Sequence, residues 1–440
     1  MPHVTFIYPC VGRFSDTKYI RSWQMQPLSI AVLSGLTPSH WDRTFFDDRL
    51  EEIDYDKPTN LVAISIETFT VRRSYQIAKE YKKRGIPVVM GGYHATFCPE
   101  EVLEYADAVC VGNAENNWKK IILDAEQNCL FGKYQTAINS KEIFSVFDRS
   151  IFEGKKYFNL ALVETSRGCN FQCAFCSITT FHKGKCLYRP IDDIVKEISK
   201  LKEKDIFIVD DNFASDFNRA SELFSALEKL NVKWVGQAGI NITSNIKLLN
   251  LMAKSGCVGV LIGFESLDSE SLSSVNKQAN NEVDYSKGLR ELRKRGIAVY
   301  GTFLLGLPKD SEKTAKEILN FSIKEKLFIA AFNHIVPFPG TPLYNEFERK
   351  NKLIYKKWWL SDKYRFGEAP YNPETISAQN LKDLCLVMRK KFYSVLSIFR
   401  RSIVLFIYCR SIRKIIVYFG LNFLLHKEIS QKNGLPLGEQ

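Results

Sequence analysis

The 440-residue sequence carries 61 Lys and Arg against 49 Asp and Glu, a net charge of +12 at pH 7, with 45% hydrophobic and 25% charged residues. That composition excludes wholesale disorder and collagen-like repeats, and the length gives room for two or three domains with buried cores. No run reaches the ~20 uninterrupted apolar residues of a spanning helix, and the opening MPHVTFIYPC lacks the charged-then-apolar order of a signal peptide, so a cytoplasmic location is expected.

Residues 1–135 read as a first α/β domain. Short apolar runs (HVTFIY at 3–8, LVAISI at 61–66, IPVVM at 86–90, AVCVG at 108–112) alternate with helical patterns such as 70–85, whose apolar residues recur at the helical period and stop at Gly85. Runs apolar on both faces predict a doubly wound parallel sheet, which binds ligands beyond the carboxyl ends of its strands. The residues there are Ser65 and Thr68 after one strand, Gly91, Gly92, Tyr93 and His94 after the next, and Gly112 with Glu115 after the last. Paired glycines let a backbone approach a bulky ligand, or simply make a turn.

A linker is expected over 136–155, and the alternation restarts over 156–345. Six strands are predicted there: NLALVE at 159–164, IFIVD at 206–210, VKWVG at 232–236, GVLIGFE at 259–265, VYGTFLLG at 299–306 and AAFNHIVPF at 330–338. That is two short of a full (β/α)8 barrel and fits an open six-stranded one, with its chemistry at the strand C-terminal ends. The unusual residues gather at those ends: a cysteine cluster after the first strand, Asp210, Asp211 and Asn212 after the second, Glu265 and Ser266 after the fourth.

Residues 346–440 form a helical, basic and apolar extension. Between 389 and 432 stand ten Lys and Arg and one acid, Glu428, punctuating aliphatic runs at 403–408 and 415–425. Without a recognisable fold or aromatic platform this does not read as a nucleic-acid surface. It predicts either a cap with charges left in water or interfacial helices whose cations meet anionic headgroups, a peripheral membrane contact.

Eleven cysteines without a secretion signal argue for reduced thiols rather than a disulfide framework. Eight of them, Cys10, Cys98, Cys110, Cys129, Cys186, Cys257, Cys385 and Cys409, read as small core hydrophobes. Cys169, Cys173 and Cys176 are different, a CxxxCxxC in ETSRGCNFQCAFCSI just after a strand. Soft thiolates at such spacing hold zinc or an iron–sulfur cluster. Zinc would need a fourth ligand, for which Cys186 and His182 are on offer, whereas a cubane held by three thiolates keeps one iron open for a substrate or cofactor.

The CxxxCxxC motif, DDNF at 210–213, GFES at 263–266, GLP at 306–308 and PFPGTPLY at 337–344 resemble, in order and spacing, the radical S-adenosylmethionine (radical SAM) enzymes. GGYHATFCPEE at 91–101 and VGNAE at 111–115 resemble the B12-binding domain of their cobalamin-dependent class, which includes hopanoid methylases and the anaerobic Mg-protoporphyrin monomethyl ester cyclase. WWLSDKYRFGEAPYNPE at 358–374 is similar to tails in this group.

The resemblance implies a [4Fe–4S] cluster on Cys169, Cys173 and Cys176, with SAM chelating the fourth iron. It implies SAM contacts from Phe175 (adenine), from Asp210, Asp211 and Asn212 (amino-acid part) and from Glu265 and Ser266 (ribose). Core packing for Phe175, a helix N-cap for the acidic pair and an ion pair for Glu265 are the structural alternatives. Cobalamin would meet Ser65, Thr68, Gly91, Gly92, His94, Gly112 and Glu115. The base-off signature DxHxxG is absent and Asn113 stands where relatives carry an acid, so no histidine of that motif ligates cobalt, and His94 either touches the corrin edge or caps a turn. The implied activity is reductive cleavage of SAM and modification of an unactivated carbon, by methyl transfer or by cyclisation or rearrangement. A non-enzymatic iron–sulfur or corrinoid carrier is the rival. The implied partners are a small-molecule or lipid substrate and a flavodoxin- or ferredoxin-type reductant.

Overall fold

The computed structural model describes residues 1–14, 20, 22, 24–135, 144, 147–280, 283–408 and 411–439. Half of the linker expected over 136–155 (residues 136–143, 145 and 146) and Cys409 lie outside them.

The strands in chain order are β1 (His3–Tyr8), β2 (Gly12–Arg13), β3 (Asp42–Asp47), β4 (Leu61–Ser65), β5 (Val88–Gly91), β6 (Ala108–Val111), β7 (Gly132–Gln135), β8 (Ala161–Val163), β9 (Ser166–Arg167), β10 (Leu187–Tyr188), β11 (Asp205–Ile208), β12 (Lys233–Ala238), β13 (Cys257–Glu265), β14 (Ala298–Leu305), β15 (Ile329–His334) and β16 (Gly438–Glu439). The first sheet is parallel, in the order β3-β1-β4-β5-β6-β7. Alternate residues build its two faces. Ile7, Val62, Ile64, Val88 and Met90 enter one buried cluster, while Phe6, Leu61, Ala63, Val89 and Cys110 enter the other. Strands β3 (DRTFFD) and β7 (GKYQ) escape the sequence reading, because their polar residues interrupt any continuous apolar run and they lie at the two sheet edges.

The second sheet, in the order β15-β14-β13-β12-β11-β8, is parallel throughout and follows chain order. It is the open six-stranded barrel. A small antiparallel pair, β9 with β10, closes the base of the loop that carries the three cysteines.

The tail does more than cap the barrel. Trp358 and Trp359 are buried in the core of the first domain. Helix Ala378–Phe392 packs on β15, where the Tyr393 hydroxyl meets the Ala330 backbone. Helices Val395–Tyr408 and Ile412–Lys432 then form a hairpin across the strand starts. Finally β16 returns to pair with β2, and Glu439 forms ion pairs with Arg13 and Arg73. Of the scattered cysteines, Cys10, Cys110, Cys257 and Cys385 are buried as expected. Cys98 and Cys186 are half-buried, and Cys129 is exposed beyond the helix Trp118–Glu126.

Candidate functional site

The cysteine loop is held from below by two carboxylates of the next strand end. Asp210, fully buried, accepts hydrogen bonds from the Thr165 amide (2.7 Å), the Thr165 hydroxyl and the Ser166 hydroxyl (2.6 Å). Asp211 accepts from the Gly168 amide (2.8 Å). Gly168 has φ +89°, and a Cβ there would meet the Lys185 carbonyl at 2.1 Å, so the chain passes under Lys185 only as glycine. Burial pushes both aspartates up to about 6, with hydrogen bonds from Thr165 and Ser166 (Asp210) and from Gly168 (Asp211) pulling the other way. The N-cap alternative is not realised: Asp216 caps the helix Phe217–Glu228, accepting from Asn218 and Arg219. Asp210 instead spends both oxygens on residues 165 and 166, at the base of the cysteine loop.

The loop is also fastened at its crest, where the Ala174 amide donates to Val275 O and the Leu343 amide to Ala174 O, both at 3.0 Å. Burial raises the Cys173 thiol to about 11, opposed by the nearby Lys277 ammonium, and burial also raises Cys176. Asn212 donates to the Cys169 sulfur at 3.8 Å. Three soft thiols on one pinned loop, one of them beside a cation, suit an iron–sulfur cluster, whose irons supply the positive charge that favours the thiolates. Among the described residues no three His, Cys, Asp or Glu side chains are arranged to hold a single metal ion. A cubane takes one thiolate per corner instead.

Lys277 is a residue the sequence reading missed. Its ammonium pairs with Glu265 (2.7 Å), both side chains largely buried, and lies 5.9 Å from the Phe175 ring centroid. Glu265 closes β13 at a register shift and adopts φ +60°, a left-handed conformation uncommon for a non-glycine residue. Both structural alternatives of the sequence reading are therefore realised, the ion pair for Glu265 and packing for Phe175 against the barrel core. The Ser266 hydroxyl accepts from the Asp268 amide at 3.1 Å.

Between the two sheets lies a cavity of about 270 Å³. The expected residues Ser65, Gly91, Gly92, Gly112 and Glu115 line it from the first domain, and Asp211 from the barrel. Its inner wall is apolar, formed by Leu28, Val32, Ala63, Val89 and Trp118. A Cβ on Gly92 (φ +113°) would strike Ile66 O at 2.5 Å, so that turn too needs glycine. At the junction Arg167 forms ion pairs with Glu164 (2.7 Å) and Glu115 (2.8 Å), tying the barrel to the first domain. Glu115 is thus engaged by protein, burial raising its pKa and Arg167 drawing it back. Phe181 and His182, from the helix that follows Cys176, complete the wall. Burial lowers His182 to about 4, and its Nδ1 is buried without a hydrogen-bond partner among the described residues, as is Nδ2 of the cavity residue Asn113. A mainly apolar slot with a few polar groups on its wall suits an aromatic, amide-bearing ligand arm.

Thr68 and His94 do not line this cavity. His94 is fully buried, with its ring nitrogens 3.4 Å from the Thr68 hydroxyl and 3.2 Å from Glu101, and its ring packs edge-on to Trp359. Its side chain lies off the cavity, packed among Thr68, Glu101 and Trp359. Glu101 also accepts from Tyr75 and Trp359 and pairs with Lys357. Burial alone would raise Glu101, but hydrogen bonds from His94, Lys357 and Trp359 hold it at about 2. This cluster fastens the tail to the first domain. The sequence signal for it, a WW pair in the tail and an EE pair after GGYHATFCP, gives no hint that they meet.

Residues 163–322 match the Radical SAM superfamily model, and residues 31–122 match the B12 binding domain model. The chain is 28% identical over 389 residues to the bacteriochlorophyllide d C-12(1)-methyltransferase of Chlorobaculum tepidum, covering 85% of this chain and 84% of that relative. It is 26% identical over 415 residues to the anaerobic magnesium-protoporphyrin IX monomethyl ester cyclase of Rubrivivax gelatinosus, covering 83% and 73%. In fold it is similar to the cobalamin-dependent S-adenosylmethionine radical enzyme OxsB with aqua-cobalamin bound, at TM-score 0.68 and 15% identity over 98% of this chain and 72% of that one.

Proposed function

Because the chain belongs to the cobalamin-binding radical SAM enzymes, whose cofactors are a [4Fe–4S] cluster, SAM and cobalamin, we propose that it methylates an unactivated carbon of a small-molecule substrate. The observation that carries this reading is the shared cavity: the ends of β4, β5 and β6 and the base of the cysteine loop open onto one space. A carrier would need no such junction. Methyl transfer, rather than ring closure, is supported by the likeness to the Chlorobaculum tepidum methyltransferase.

In this reading Cys169, Cys173 and Cys176 hold the cluster. Asp211, with Asn212 beside Cys169, orients the loop against SAM, and Glu265 with Ser266 faces its ribose. Ser65, Gly91, Gly92 and Gly112 receive the cobalamin tail, with Asn113, Phe181 and His182 on the same wall. When bound, these cofactors supply a low-potential electron, a carbon-centred radical and a transferable methyl group. The chain's own contribution is placement and exclusion of water: Arg167, neutralised by Glu115 and Glu164, keeps the two domains in register around the reacting space. A flavodoxin- or ferredoxin-type protein would deliver the electron.

Anaerobic reconstitution with iron, sulfide, hydroxocobalamin and SAM tests the proposal. Reduced protein should release both 5′-deoxyadenosine and S-adenosylhomocysteine, and C173A should lose its brown absorbance and both products. 5′-Deoxyadenosine alone would favour the cyclase or rearrangement chemistry, and neither product would favour the carrier.

A further inference from the structure

Nine of the sixteen large hydrophobic side chains that stand exposed among the described residues lie on the two helices of the tail hairpin. On Val395–Tyr408 they are Val395, Leu396, Phe399, Ile403 and Ile407, one helical face by spacing, while Ile398, Arg401 and Leu405 fill the opposite, buried face. On Ile412–Lys432 they are Ile412, Ile416, Val417 and Phe423, again outward, with Tyr418 and Asn422 turned in. The rings of Phe399, Phe419 and Phe423 follow one another at centroid distances of 5.5 and 6.2 Å, so the two faces are continuous. Around them stand the exposed cations Lys390, Lys391, Arg400, Arg413 and Lys427. The hairpin's sole acid, Glu428, is buried and paired with Lys432.

We infer that this face is a docking surface for an anionic lipid bilayer. Exposed apolar residues rimmed by cations, with no exposed acid on the hairpin itself, match the interfacial zone, where side chains enter the acyl boundary and ammonium or guanidinium groups meet phosphates. No helix among the described residues is long and apolar enough to cross a membrane, so the contact is superficial.

The hairpin's place in the barrel adds a consequence. Arg401 donates to Leu327 O (2.8 Å) and Phe328 O, Lys414 reaches Gly296 O, and Arg413 pairs with Asp205. These residues start β15, start β14 or open β11, so the hairpin closes the barrel's N-terminal end. The cysteine loop lies at the opposite end, roughly 30 Å away by the rise of nine-residue β13. The bilayer anchors the enzyme with its cavity facing the aqueous phase, and substrate arrives from that side rather than out of the docked membrane.

The test is co-sedimentation of the full chain with sonicated vesicles of phosphatidylcholine alone or with phosphatidylglycerol. Binding is expected only with phosphatidylglycerol, weakening as salt rises. L396E/I416E should abolish it while leaving the far-UV spectrum and melting temperature unchanged, since both side chains are already in water. Lys391→Gln with Arg400→Gln should lower the partition coefficient about 25-fold, at roughly fivefold per cation. Failure of the wild-type chain to sediment, or equal sedimentation of L396E/I416E, overturns the inference. So does a concentration-dependent dimer that L396E/I416E dissolves, which would make a second copy the occupant.

Discussion

Replacing Lys277 by Met should destabilise the cluster-free chain far more than the loss of a surface charge. The ammonium sits 2.7 Å from Glu265, with side-chain exposures of 15% and 8%. At that separation the gross attraction in a medium of effective dielectric 20 is about 6 kcal/mol, offset in the intact pair by the cost of taking both ions out of water. Removing one partner leaves that cost uncompensated at Glu265, a net loss of about 3–5 kcal/mol. K277M/E265Q carries no buried charge and should recover most of it, giving a coupling energy of about 2–4 kcal/mol in a double-mutant cycle. Guanidinium denaturation of the four cluster-free proteins, followed by tryptophan fluorescence, reads these values. A K277M cost below about 1 kcal/mol, or no recovery in the double variant, would refute a buried and mutually dependent pair.

Two further outcomes are expected. W359A removes a 2% exposed indole and its bond to Glu101, and should cost about 3–5 kcal/mol, seen as a lower melting temperature and faster proteolysis of the tail. Asp210 has its pKa raised from 3.8 to about 6, so between those values the folded chain keeps a proton that the unfolded chain has released. Stability from this group therefore falls as pH rises through that window, by about 3 kcal/mol at 1.36 kcal/mol per pH unit. The difference between wild type and D210N, measured by denaturant midpoint from pH 4 to 7, should shrink accordingly. A pH-independent difference would mean that the hydrogen bonds from Thr165 and Ser166 outweigh burial.

The parts of the molecule legible in the sequence are those governed by local rules. Strands β4 and β5 are runs apolar on both faces, and a buried parallel strand can hardly be written otherwise. The cysteine loop announces itself because three thiols within eight residues have few other uses. Strands β3 and β7 were missed for the complementary reason: at sheet edges one side faces water, and DRTFFD and GKYQ look like ordinary polar chain. Asp210 and His94 were read as candidates because of where they stand along the chain. Their side chains are nonetheless consumed by partners, Thr165 and Glu101, whose proximity only the fold decides.

What no local pattern reveals is the set of charges that joins the domains. Arg167 meets an acid three residues away and another 52 residues upstream, and Glu439 meets arginines 366 and 426 residues before it. Such pairs leave no periodicity, because each partner is chosen by the packing of separate sheets. The Arg167 pairs stand at the wall of the cavity, where the apolar slot of the first domain meets the base of the second domain's cysteine loop. With Arg167 buried between Glu115 and Glu164, sliding the domains apart would strand charges in an apolar junction. The geometry that brings the strand ends over the cysteine loop is therefore enforced by desolvation, independently of any bound cofactor.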